Sequence, residues 1–188
     1  MQTKRFRFAR LAIPLTAIAA FTAGCGHDPP PPAAAPPPQQ PSPCTEPEML
    51  GIRLSASGHL NPGERGEPLT TVVRVYQLKR PEKLTSASFD DMLDRDKDML
   101  GADLVEVQEM TLNPGETIPR ALKRAPDAAF IAAVALFRKP TGTAWRAVKQ
   151  IPATDPNRCH TKDGKQKDKV EIMETARFYF DGNRVEIR

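Results

Sequence analysis

The chain has few of the residues that most often carry out chemistry. Its 188 residues include three histidines, three cysteines, one tryptophan and two tyrosines. There is no G-x-S-x-G, H-E-x-x-H, P-loop or G-x-G-x-x-G stretch, so no motif points to a serine hydrolase, a zinc protease or a nucleotide site. No catalytic residue is therefore assigned and no enzyme is expected. A hydrolase whose groups converge only in three dimensions would have to centre on His59 or His160. The run DRDKDMLGADLVE places Asp94, Asp96 and Asp98 at calcium-loop spacing. It has Met99 where such a loop needs glycine and Val105 where it needs glutamate, so it reads as a charged helix face. No apolar run reaches the roughly 20 residues of a membrane-spanning helix. Residues 11 to 24, LAIPLTAIAAFTAG, number 14.

That short run has a clear context. Lys4, Arg5, Arg7 and Arg10 precede it without an acid, which makes residues 1–24 a bacterial secretory signal. Ala23-Gly24-Cys25 resembles the end of a lipobox, with Thr22 where leucine is usual. The resemblance implies a lipoprotein in which Cys25 becomes the lipidated N-terminus, held by acyl chains worth about 0.8 kcal/mol per buried CH₂. Gly26 rather than aspartate follows, which by analogy favours the outer membrane, periplasmic face. The covalent lipid is the only non-protein group expected; no other cofactor is. The precursor carries 27 basic and 23 acidic residues. The signal holds four of the basic ones, so the mature chain is near neutral and its charge gives no reason to expect nucleic acid as a partner.

With Cys25 lipidated, Cys44 and Cys159 remain. In an oxidising compartment they form a candidate disulfide, two free buried thiols being the alternative. A metal site from Cys44, Cys159 and His160 is not expected, because there is no second close-spaced ligand pair. Residues 29–43 hold nine of the 20 prolines. Such a segment favours polyproline II and would reach about 45 Å as a spacer. Residues 25–43 thus read as a lipidated proline-rich tether and 44–188 as the folded domain.

The domain is mainly strand by pattern. MLGIRLSA alternates with Leu50, Ile52, Leu54 and Ala56 on one face. TTVVRVYQLK, LVEVQEMTL, AAFIAAVALFRK, TAWRAVKQ, KVEIM, ARFYF and RVEIR follow, the last two joined by a turn at Asp181-Gly182-Asn183. LNPGE occurs at 60–64 and 112–116 and reads as a turn in both places. A helical insertion over 86–101 opens on the capping box Ser88-Phe89-Asp90-Asp91, sets Phe89, Met92 and Leu93 on one face, and stops at Gly101. This order predicts a β-sandwich with helices at one end or side. The loop from Ser57 to Leu69 is longer than the two to five residues usual for a hairpin. It is either a solvated crossover or a recognition loop.

Asn61 to Gly66, then PLTTVVRVYQLK, FDDML, DKDMLGADLVEVQEMTLNPGE and FRKPTGTAWR, together resemble the type VI secretion outer-membrane lipoprotein, the TssJ (VasD-like) family. The resemblance covers about Met49 to Trp145. It implies a transthyretin-like β-sandwich with a short helical insertion between the second and third strands. It also implies a partner, the periplasmic domain of the inner-membrane protein TssM, and a function, tethering the trans-envelope complex to the outer membrane. Carried onto this chain, the candidate partner-binding residues are His59, Leu60, Asn61, Glu64, Arg65 and Glu67. No small-molecule substrate is expected under this reading. The alternative is a periplasmic ligand-binding lipoprotein on the same scaffold, which would need an apolar pocket with convergent polar groups.

Overall fold

In the computed structural model the described residues are 44–167, 169 and 172–188. The signal, Cys25 and the tether expected over residues 25–43 lie outside them. Eight strands form two four-stranded sheets. They are β1 (Met49–Ala56), β2 (Thr71–Leu78), β3 (Leu104–Leu112), β4 (Thr117–Lys123), β5 (Phe130–Ala135), β6 (Arg146–Gln150), β7 (Met173–Asp181) and β8 (Arg184–Ile187). One sheet has the order β4-β1-β7-β8, the other β3-β2-β5-β6. All pairs are antiparallel except β1 with β7.

The alternation in β1 sets its role. Leu50, Ile52, Leu54 and Ala56 face the other sheet and are buried. From β7, Ala176, Phe178 and Phe180 join them, and Val73, Val75, Ile131, Ala133 and Ala135 close the layer from the second sheet. Fully burying each large side chain contributes about 1.5–3 kcal/mol. Gln77 is also buried and supplies what the apolar layer lacks. Its Nε2 donates to the Lys123 carbonyl and its Oε1 accepts from Ala125 N–H, both at 2.8 Å. That amide fastens β2 to the far end of β4.

Three short helices lie between β2 and β3: α1 (Glu82–Ser86), α2 (Phe89–Asp94) and α3 (Asp96–Leu100), followed by a 3₁₀ turn, Gly101–Asp103. They cover the outer face of the second sheet, which explains why β5 is apolar on both faces. Tyr76 is fully buried beneath them and its hydroxyl donates to Asp96 at 2.7 Å. Burial and that carboxylate both push the phenol above its ordinary range. Arg74 donates to the Met92 carbonyl and Arg146 to the Ala87 carbonyl, each stopping a helix end. Trp145 is buried edge-on to Phe89, ring centres 5.4 Å apart.

The mainly β fold, with helices between the second and third strands, follows the sequence reading. Four details do not. Helix α1 starts at Glu82, ahead of the expected 86–101 insertion, and the 3₁₀ turn extends it to Asp103. Leu93, expected on the buried face, is 40% exposed, because it lies about 100° round the helix from the fully buried Met92. ARFYF and Met173, the last residue of KVEIM, lie together in the single strand β7, while Val170 and Glu171 lie outside the described residues. Strand β4, TIPRALK, was not anticipated. Its Pro119 lacks an N–H, and only an edge strand such as β4 tolerates that.

Candidate functional site

The strands divide the connections between two ends. At one end lie the β1–β2 loop (57–70), the β3–β4 turn (113–116), the β5–β6 loop (136–145) and the β7–β8 turn (182–183). At the other lie Cys44, the β4–β5 loop (124–129) and the β6–β7 loop (151–172), while the helices run across the outer face of the second sheet. Strand β1 has eight residues, so the two ends are separated by roughly 26 Å of strand.

The β1–β2 loop is braced from within. Leu60 is fully buried, and Asn61 is 5% exposed in the left-handed region at φ 47°. Asparagine tolerates that conformation better than most residues. The Asn61 backbone N–H donates to Gly182, its Nδ2 donates to the Thr70 carbonyl at 3.0 Å, and its Oδ1 accepts from Arg138 N–H at 2.9 Å. One side chain and its amide thus join three of the four connections at this end. The loop tip turns back through Gly63 N–H to the Glu67 carbonyl, and Glu67 Oε2 accepts from Arg65 N–H at 2.9 Å. The Glu67 carboxylate lies against Gly63. A Cβ there would come within 2.4 Å of Glu67 Oε1, so any larger residue would have to displace the Glu67 carboxylate from its bond to Arg65.

This corrects two of the six candidate partner-binding residues. Leu60 and Asn61 face inward and hold the loop; they offer no surface to a partner. His59, Glu64, Arg65 and Glu67 are exposed. Glu64 pairs with Arg138 across to the β5–β6 loop. An open groove of about 810 Å³ runs beside the loop, lined by His59, Pro62, Thr141, Ala144, Asn183 and Arg184 among others. Asn183 Oδ1 is enclosed without a hydrogen-bond partner. Sequence reasoning missed Arg138, Thr141 and Asn183. The Asp-Gly-Asn turn was legible as a turn, but no local signal places it beside a loop 120 residues earlier.

The opposite end is tied differently. Cys44 and Cys159 form a disulfide, Cα atoms 5.6 Å apart. His160 Nδ1 lies 3.4 Å from Cys159 Sγ. Both sulfurs are consumed by the bond, so this trio offers a metal one imidazole rather than three ligands. Beside it, Arg124 and Glu48 form a largely buried ion pair at 3.2 Å. Arg124 also donates to the Ala128 and Pro152 carbonyls, and Thr154 donates to Glu48. Among the described residues neither histidine ring is hydrogen-bonded to a hydroxyl or carboxylate, so no activated nucleophile is assembled. Asp96 is occupied with Tyr76 and Arg74 rather than turned toward Asp94 and Asp98.

Two packed sheets, a helical cover and a braced loop end define a β-sandwich domain. The chain belongs to the type VI secretion lipoprotein family (VasD, EvfM, TssJ), whose model matches residues 48–175. That family is one of structural lipoproteins, membrane-anchored in the cell envelope. Solved structures share the fold. The T6SS lipoprotein TssJ1 of Pseudomonas aeruginosa is 23% identical, with 76% of this chain and 98% of that one covered and a TM-score of 0.55. Serratia marcescens Lip, a membrane-bound component of the type VI secretion system, is 19% identical over 76% and 97%, TM-score 0.63. A chain in the structure of the T6SS protein TssM C-terminal domain from EAEC is 22% identical over 75% and 98%, TM-score 0.55. A search of curated proteins returns no relative of this chain.

Proposed function

We propose that this lipoprotein, lipidated at Cys25 and inserted in the periplasmic face of the outer membrane, tethers the type VI secretion membrane complex. It does so by binding the periplasmic C-terminal domain of TssM. Family membership supports the secretion role, and the likeness to a chain in the structure of a TssM C-terminal domain is in keeping with that partner. The observation that carries the reading is the placement of the braced 57–70 loop at the end opposite Cys44, where the tether joins. A tether that enters the domain at Cys44 and a pre-organised loop at the opposite end let the domain link a membrane to a partner. Pre-organisation lowers the ordering cost of binding. His59, Glu64, Arg65 and Glu67 are the proposed contact residues, and the reading requires no cofactor.

The test has two arms. The mature chain should recover TssM from detergent-solubilised envelopes, and Cys25→Ser should move the chain from the outer membrane to the soluble periplasmic fraction while leaving its melting temperature unchanged. Failure to recover TssM with a folded chain would overturn the partner; membrane retention of Cys25→Ser would overturn the anchor.

A further inference from the structure

The β6–β7 loop contains a feature the tethering role does not use. Residues 159–167 fold into a miniature hairpin. Thr161 N–H donates to the Lys165 carbonyl and Lys167 N–H to the Cys159 carbonyl, both at 2.7 Å, and His160 bridges to Gln166. Residues 160–169 hold four lysines, Lys162, Lys165, Lys167 and Lys169, against Asp163 and Asp168. Lys162, Lys165 and Lys167 are exposed.

Their clustering sets them apart: three exposed lysines fall within residues 162–167. Several cations elsewhere are matched, Lys79 with Asp127, Arg80 and Lys83 with Asp103, Arg124 with Glu48, Arg177 with Glu174, whereas the unpaired Lys97, Lys139 and Lys149 lie apart from one another in the sequence. Among the described residues none of the three hairpin lysines is in an ion pair. The Cys44–Cys159 bond holds this unpaired cluster at the residue where the lipidated tether enters the domain. A cationic cluster at the end of a domain where a lipidated tether enters can add electrostatic attachment to hydrophobic insertion once the tether lets that end reach the membrane.

We propose that the 159–167 hairpin is a docking surface for anionic phospholipid headgroups of the leaflet that carries the anchor. It would seat the tether end of the domain on the membrane, with the 57–70 loop pointing away from it. The proposal rests on the lipoprotein reading above, but its test does not depend on that reading.

The mature chain with Cys25→Ser lacks the lipid, so only the protein surface can bind. It should co-sediment with vesicles of phosphatidylglycerol and phosphatidylcholine but not with phosphatidylcholine alone. Binding should be lost in 0.5 M salt, where charges are screened. Replacing Lys162, Lys165 and Lys167 with Gln should lower partitioning on the order of 100-fold. The same change at Lys97, Lys139 and Lys149 should lower it far less. Equal binding to neutral vesicles, an equal loss from the control triple, or binding to peptidoglycan sacculi instead of vesicles would each overturn the proposal. Failed vesicle binding together with normal outer-membrane fractionation of the lipidated chain would remove the dock and leave the anchor standing.

Discussion

The two ends of the sandwich are held by different chemistry. At the loop end a single neutral side chain, Asn61, ties three connections through backbone hydrogen bonds. At the tether end a disulfide and the buried Glu48–Arg124 pair tie the N-terminal segment to the β4–β5 and β6–β7 loops. A covalent knot suits the end where the tether joins, because load on the tether reaches Cys44 and is shared with Cys159 instead of peeling β1 from its sheet. A hydrogen-bonded knot fixes the backbone of the loop end while leaving its charged side chains on the surface.

The largest way to break this contrast is to remove the covalent knot. The bond closes a loop with a sequence separation of 115. The Cys44→Ala, Cys159→Ala double variant should lose roughly 4 kcal/mol of stability, read from urea unfolding. Its loop end should stay native by hydrogen exchange at 57–70. A smaller effect is expected from Asn61→Ala. It leaves Arg138 N–H and the Thr70 carbonyl without their partner and puts a Cβ residue without a compensating side chain at positive φ, costing about 2–3 kcal/mol. Asn61→Gly loses the same two bonds without the backbone strain and should be milder by about 1 kcal/mol. If the two variants were equal, the positive φ would not be a source of cost. The smallest stability effect belongs to the exchange Glu64→Arg with Arg65→Glu, within about 0.5 kcal/mol, as for most surface changes. It should nonetheless weaken TssM binding at least several-fold in calorimetry.

Much of this architecture was legible because its signals are local. Alternation in MLGIRLSA gave β1 its buried face, Ser88 and Asp91 form the capping box that starts α2, and Asp181-Gly182-Asn183 turns β7 into β8. What was illegible depends on tertiary context. TIPRALK carries a proline that argues against a strand, yet an edge position accommodates it. Helix α1 has no side-chain cap, only Pro81 ahead of Glu82, which is a weak start signal. At the candidate site the sequence marked the right loop by its length but could not separate its inward residues from its outward ones. Leu60 and Asn61 look like turn residues in LNPGE. Their burial is decided by Gly182, Arg138 and Thr70, of which only Thr70 is near in sequence.

The central claim is that the loop end meets the partner while the tether end faces the membrane. Hydrogen exchange of the mature chain, with and without the periplasmic C-terminal domain of TssM, tests it most directly. Slowed exchange across 57–70 and 182–186, with 159–167 unchanged, is the predicted result. Slowing confined to the hairpin at 159–167, with the loop end unaffected, would contradict it.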